Sequence, residues 1–255
     1  MRRRDFLAGA MTGVVGSAAG KIAWDRFAPR ELAGRTLPAD ARMSFSQQGE
    51  DIVLYHALRD VLRLERATYM DVGAAHPVKA SNTYLLYWSG DRGVLVEPNP
   101  MFVDLLRKAR PRDTVLQAGI GVTDQAEADY YEIRDNPWLN TFSAETAARL
   151  RTEQGDQIVE RVVKMPLVNI NRAIAEHLGA APDLLSTDVE GLDAAIIRAL
   201  DLDRFRPGVI CCEGVPMFAG ARHSEIATYL LSQGYVLRGG SMVNSVFVDG
   251  RRLNE

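Results

Sequence analysis

The chain has 255 residues, 47% hydrophobic and 25% charged, with a formal net charge of -3. That length suits one large domain, and an ordinary composition without repeats or low-complexity tracts excludes disordered and fibrous classes. There is no basic excess and no stripe of arginine and lysine interleaved with aromatics, so a small molecule is the expected partner and nucleic acid is not.

The opening stretch MRRRDFLAGAMTGVVGSAAG, residues 1–20, pairs arginines with Phe6 and Leu7 and a mildly apolar, glycine-containing run. It is similar to a twin-arginine export signal and too short to span a bilayer, which gives membrane association through this segment as one expectation. A basic lead-in or a misassigned start stays open beside it. Residues 21–42 read as a linker and 43–255 as the folded domain.

Along that domain, SFSQQGEDIVLYHALRDVL spaces its apolar residues as a helix does, with Ser46 as a cap. Strand-like and helix-like segments then alternate: ATYMDVG, SNTYLLYW, GVLVEP, NPMFVDLLRKAR and DTVLQAG. Alternation of this kind predicts a parallel α/β sheet. Asn99 with Pro100 in the first turn marks a helix start, so the second strand ends at Glu97. Beyond it, EADYYEI and IVERVVKMPLV read as strands. Ser143 caps the helix in NTFSAETAARL, and NRAIAEHL closes at Gly179. DLLSTD and GVICCEG are strands, GLDAAIIRAL and SEIATYLLSQG helices. The final pair, YVLRGG and SVFVDG, is too close in sequence for a parallel crossover and is expected to be antiparallel. Cys211 and Cys212 are adjacent within an apolar run, which reads as buried strand and not as a disulfide.

In open α/β sheets, ligands bind beyond the carboxyl ends of the strands. Those ends carry Asp71 and Gly73, Glu97, Ala118 and Gly119, Asp188 and Glu190, and Glu213. An acid 20 to 25 residues past a glycine turn is placed to accept hydrogen bonds from ribose hydroxyls, and Glu97 fits. No GxxxxGK run is present, and the third glycine of a dinucleotide loop is missing, which demotes ATP and NAD. Pro77 removes an N–H that a phosphate would need. Gly73 is expected where the backbone comes closest to the ligand.

SQQGEDIVL, YMDVGAAHPVKASNTYLLY, GVLVEPNP, RPRD and STDVEGLD together resemble the FkbM family of S-adenosylmethionine-dependent methyltransferases, from about Ser46 to Val248. The resemblance implies the class I methyltransferase (Rossmann-like) fold, a doubly wound sheet of seven strands, mostly parallel with one antiparallel. It also implies S-adenosyl-L-methionine as cofactor and methylation of a hydroxyl on a saccharide or similar metabolite. By resemblance, Asp71, Gly73, Ala74 and Ala75 form the turn around the methionine part of the cofactor. Glu97 takes the ribose hydroxyls, Gly119 ends the third strand, and Asp188 lies beside the methyl group. Ser81, Asn82 and Thr83 open the first helix and face the cofactor's carboxylate, with ordinary capping as the alternative.

The resemblance supplies no catalytic base. His76, Asp188 and Glu190 are the candidates, followed by Glu213 and His223. His76 is a base, a substrate contact or a loop histidine bonded to backbone. Glu190 lines the acceptor pocket or pairs with Arg198. Asn140–Ser143 is a loop near the substrate side or a solvated turn. Asp188 and Glu213 are oxygen donors of the kind Mg²⁺ takes, but their spacing does not call for a metal and none is expected. The competing reading is a cofactor-fold binding or scaffold protein without turnover, exported by its leader. S-adenosylmethionine is cytosolic, so an export leader and a methyltransferase domain are in tension. A cytoplasmic domain on an uncleaved anchor resolves it.

Overall fold

The computed structural model describes residues 31–32, 35–36, 42–123, 125–213 and 225–253. The leader and His223 lie outside them. Within the expected linker, Glu31–Leu32 pairs antiparallel with Arg35–Thr36.

The domain opens with α1 (Glu50–His56), which widens into a π-helical turn over Ala57–Val61. Ser46 serves as a cap from outside the helix: its Oγ accepts from the Gly49 and Asp51 N–H groups, while Gly49 occupies the cap position in left-handed conformation. There follow β1 (Thr68–Val72), α2 (Tyr84–Trp88), β2 (Arg92–Val96), α3 (Pro100–Ala109), β3 (Thr114–Leu116) and β4 (Gly119–Gly121). Next come β5 (Glu127–Ile133), α4 (Ala144–Gln154), β6 (Val159–Asn169), α5 (Ile170–His177), β7 (Leu184–Thr187) and α6 (Asp193–Ala199). The chain ends with β8 (Val209–Glu213), α7 (Glu225–Ser232), β9 (Tyr235–Gly240) and β10 (Asn244–Asp249). The anticipated caps hold: Asn99 accepts from Met101 N–H, Ser143 from Thr146 N–H, and Gly179 turns left-handed after α5.

Seven strands form one sheet in the order β9-β10-β8-β7-β1-β2-β3. All of the pairings are parallel except those of β10, which runs antiparallel to both β8 and β9. Strand alternation divides the core into two apolar layers. Met70, Val72, Leu185, Ile210 and Phe247 pack on α5, α6 and α7, while Tyr69, Leu95, Leu184, Cys211 and Val246 pack on α1, α2 and α3. Each fully buried leucine or isoleucine contributes roughly 1.5–3 kcal/mol, so the two layers dominate stability. Cys211 and Cys212 are both free and buried, on opposite faces of β8.

A second, three-stranded sheet, β4-β6-β5, lies off the main one: β5 and β6 form a long antiparallel pair and β4 joins β6 in parallel. Its loop, residues 134–143, arches over the carboxyl ends of β2 and β3. The chain runs outward from β1 to β3 and returns to β7 on the other side of β1, so the sheet's direction of winding reverses between β1 and β7. That reversal opens a crevice at their carboxyl ends.

Candidate active site

Gly73, the residue after β1, adopts φ +83°, and a Cβ there would lie 1.9 Å from the Asp188 carbonyl oxygen after β7. The glycine is required by the close approach of two strand ends, a reason beyond the sharp turn and the approach to a ligand that the sequence suggests. The turn is held by Gly73 and Ala74 N–H groups donating to the Val96 carbonyl, and by Asp188 N–H donating to the Val72 carbonyl. Ala75, at φ +46°, donates its N–H to Glu97 Oε2 at 2.9 Å, and Asn99 N–H donates to Oε1 at 2.7 Å. Burial outweighs these bonds and raises the Glu97 carboxyl to about 7.

These groups border a cleft of about 580 Å³, counted out to its mouth, lined by Val72, Gly73, Val96, Glu97, Gly119 and Asp188 among others. Gly119 sits on its wall, where a Cβ would meet the Phe142 ring at 2.4 Å, so the glycine lets Phe142 pack over the strand end. Reasoning from sequence missed the aromatic side of the cleft: Phe102, Tyr130, Trp138 and Phe142 all line it. Trp138 tilts against Phe102 at 5.3 Å between centroids and stacks on His76 at 6.3 Å. Asn140 and Thr141 also face the cleft, which places the NTFS loop at the site.

Other expected residues lie elsewhere. Asp71, Ala74, Ser81, Asn82 and Thr83 are buried and do not line the cleft. Thr83 Oγ1 donates to Asp71 Oδ2 at 2.6 Å and accepts from the fully buried Arg110, whose guanidinium also donates to Asp113, Tyr69 and Ser81. Asn82 donates to Ser186 Oγ, and Ser81 Oγ caps Tyr84 N–H. The segment expected to face a cofactor carboxylate therefore braces the turn from beneath. α2 is also only five residues long, with no side-chain cap at Thr83. Burial pushes the Asp71 carboxyl up, against the pull of the Thr83 hydrogen bond and the Arg110 charge.

His76 is a backbone-bonded loop histidine: Nδ1 accepts from Val78 and Lys79 N–H groups at 3.1 and 3.0 Å. A neutral ring accepting there carries its proton on Nε2 and has no lone pair left for a base, and burial lowers its pKa. The geometry therefore makes His76 the support behind Trp138.

On the opposite wall, Asp188, Glu190 and Glu213 each present a carboxylate oxygen within 4.8 Å of the others. Burial, with the charges of Glu213 and Asp193, pushes Asp188 well above the usual carboxylate range, and its protonated form donates to Glu213. Burial also raises Glu190 and Glu213 to about 7, helped by neighbouring acids. Glu190 stands at φ +53°, its carbonyl fixed by the Thr141 and Thr146 hydroxyls, and it faces both the cleft and an adjoining recess. It does not pair with Arg198, which bonds Glu225 at 2.7 Å; among the described residues the charge of Arg149 pulls its pKa down. Two walls with unlike chemistry thus share one crevice: a single carboxylate held by backbone N–H groups at Glu97 and an acid group beyond Gly73.

The family model for the methyltransferase FkbM domain matches residues 71–237, more than half of the chain and all of this crevice. The chain belongs to that family. It is a methyltransferase, and its seven-stranded sheet has the class I arrangement. No curated protein matches it. Solved structures with similar backbones include a TehB-like SAM-dependent methyltransferase from Corynebacterium glutamicum. It shows 13% identity and TM-score 0.38, over 80% of this chain and 89% of that one. An O-methyltransferase from Bacillus cereus in complex with SAH shows 12% identity and TM-score 0.35 over 78% and 80%. A precorrin-6y C5,15-methyltransferase from Geobacter metallireducens shows 15% identity and TM-score 0.37 over 77% and 87%. Among the described residues, no helix is long and apolar enough to cross a membrane.

Proposed function

We propose that this FkbM domain is an S-adenosylmethionine-dependent O-methyltransferase acting on a hydroxyl of a saccharide or a similar polyhydroxylated metabolite. One observation carries the reading: the cleft joins Glu97 on one wall to Asp188 and Glu190 on the other, with Gly73 between them.

The residues present fit the cofactor. Both Glu97 oxygens are oriented by backbone N–H groups and border the cleft, as accepting from a pair of ribose hydroxyls requires. Val72, Val96, Phe102 and Ile120 give apolar walls for a base, and nothing there is arranged to grip a phosphate. When bound, the cofactor supplies an electrophilic methyl on a sulfonium. Glu190 would take the proton of the acceptor hydroxyl as its oxygen received that methyl group from the cofactor. Glu190 fits that role because it borders the cleft and, raised to about 7, is partly ionised near neutrality and basic enough to take up a proton. The acid groups and the Asn140 and Thr141 side chains suit an acceptor rich in hydroxyls, and the rim aromatic Trp138 offers a face for a sugar ring.

Titration calorimetry tests the reading. Wild type is expected to bind S-adenosylmethionine, and Glu97→Ala to weaken it by about tenfold or more, since one tenfold step corresponds to about 1.4 kcal/mol. Absence of binding at millimolar cofactor would sink it. Mass spectrometry of saccharide extracts incubated with protein and cofactor then identifies the methylated acceptor. If no hydroxylated compound in such extracts gains a methyl group, the acceptor class is wrong.

A further inference from the structure

The loop from β5 to α4 is firm at its base and lightly held at its tip. At the base, Tyr131 and Thr141 exchange both backbone hydrogen bonds, at 2.8 and 3.1 Å, and Ile133 N–H donates to Asn140 Oδ1 at 2.8 Å. The Thr141 hydroxyl ties the same base to the Glu190 carbonyl. Arg134 is fixed from outside, its N–H donating to the Ile158 carbonyl and its Nε to the Gln157 carbonyl. Between these anchors stand Asp135, in left-handed conformation at φ +57°, Asn136 and the turn Pro137–Leu139. The backbone bonds of this tip, from Asn136 N–H to the Ile133 carbonyl and from Leu139 N–H to the Asn136 carbonyl, stay within the loop.

What crosses from the tip to the rest of the site is a ring. Trp138 stacks on His76, with 17° between the planes, and tilts against Phe102. His76 follows β1 and Phe102 follows β2, so the indole lies across the end of β2, over the wall that carries Glu97. It lines the cleft and is also 41% exposed, which puts it at the mouth and not in the floor. His76 is itself held from behind, its Nδ1 accepting from the Val78 and Lys79 N–H groups. Ring contacts are weak beside a hydrogen-bonded strand pair, so a tip latched in this way opens far more often than the elements around it unfold.

We infer that Trp138 is a gate over the cofactor: its ring, latched on His76 and Phe102, closes the mouth of the cleft, and S-adenosylmethionine enters and leaves when residues 135–139 swing away from the fixed base. The inference rests on the methyltransferase reading for the cofactor's place against Glu97. Gating differs from ordinary contact in its kinetics. A residue that only touches a ligand changes the rate of release and leaves association nearly as it was. A gate that is shut most of the time slows entry and exit alike, so removing it raises both rates and leaves their ratio, the dissociation constant, nearly unchanged. His76 is a positioning residue in this device, acting on the cofactor through Trp138.

The test is surface plasmon resonance of the full chain with S-adenosylmethionine, which gives the association and dissociation rates separately. Trp138→Ala is expected to raise both about tenfold while the dissociation constant moves by less than about threefold. Trp138→Phe keeps a ring at the latch and is expected to stay within about threefold of wild type in both rates. His76→Asn keeps an oxygen that accepts from N–H groups two and three residues on, as Asn does in turns, but offers no ring face. It is expected to raise both rates by a smaller factor than Trp138→Ala. A thermal melt checks that Trp138→Ala is folded; if it is not, His76→Asn carries the test. Faster dissociation with unchanged association makes the ring a wall of the site and overturns the inference, as do unchanged rates in both variants. If wild type binds no S-adenosylmethionine, the cofactor's placement falls and the gate with it. If wild type binds and the rates of the variants fail to move together, the gate alone falls.

Discussion

Two groups of buried charge flank the turn at Gly73, and they are built on opposite principles. Around Arg110 the charges are paired: its guanidinium meets Asp113, Tyr69, Thr83 and Ser81 and lies over the rings of Tyr69 and Tyr87. Around Asp188 they are not, since Glu190, Asp193 and Glu213 line the adjoining recess with Arg149 as its one arginine among the described residues, and burial, with the charges of Glu213 and Asp193, pushes the Asp188 carboxyl up. Buried charge that is fully partnered holds a scaffold in place. An unbalanced group costs folding energy and is maintained for something that binds or reacts there.

The largest effect expected from breaking this contrast is at Arg110. Arg110→Met strands Asp113 and releases Thr83 from its donor, and should lower unfolding free energy by roughly 3–5 kcal/mol, read from urea denaturation. Gly73→Ala comes next. Its φ and the 1.9 Å approach to the Asp188 carbonyl force the two strand ends apart. A loss of about 3 kcal/mol is expected, with cofactor binding abolished even where the protein remains folded.

Glu97 gives the third test, through pH. Its carboxyl is raised in the folded state from 4.5 to about 7, so the folded chain binds more protons between those values. Its contribution to stability is present below 4.5 and is lost as pH rises through about 7. Ribose hydroxyls favour the ionised form, so S-adenosylmethionine affinity should climb by up to about tenfold per pH unit below 7 and level off above it. In Glu97→Gln the climb should vanish, and calorimetry across pH 5–9 measures both. The smallest effect is at Glu213. Glu213→Gln, melted at pH 8, should be more stable by up to about 1 kcal/mol, because one like charge leaves the group. The same substitution on the paired side, Asp113→Asn, should destabilise.

How legible each part was follows from the range of the interactions that make it. The caps at Asn99, Ser143 and Gly179 rest on hydrogen bonds within a few residues, and their positions could be read directly from sequence. Glu97 was legible for a related reason, since a glycine turn followed by an acid at the next strand end is a local spacing. Asp71 and Ser81–Thr83 were assigned to the cofactor by resemblance, and what engages Ser81 and Thr83 instead, Arg110, lies 27 residues beyond Thr83, out of reach of any local pattern. Gly73 was recognised as essential, but its reason, the backbone of Asp188, is over a hundred residues away. Trp138 and Phe142 reach the cleft only because β5 and β6 pair as a separate sheet, and no periodicity within either strand announces where their connecting loop will land. A Glu190–Arg198 pair was one of two alternatives open in the sequence, and it is absent because Arg198 bonds Glu225, 27 residues further on, while Glu190 lines the cleft.

The placement of β10 has a consequence for the life of the chain before it is folded. This strand is synthesised after β8 and β9 yet lies between them, hydrogen-bonded to both. While the chain is emerging, β8 offers the run Val209–Cys212 with one edge open, and β9 cannot close that edge in the native arrangement. The nascent protein is therefore most exposed to misassociation, and most dependent on chaperones, in the interval before residues 244–249 are made.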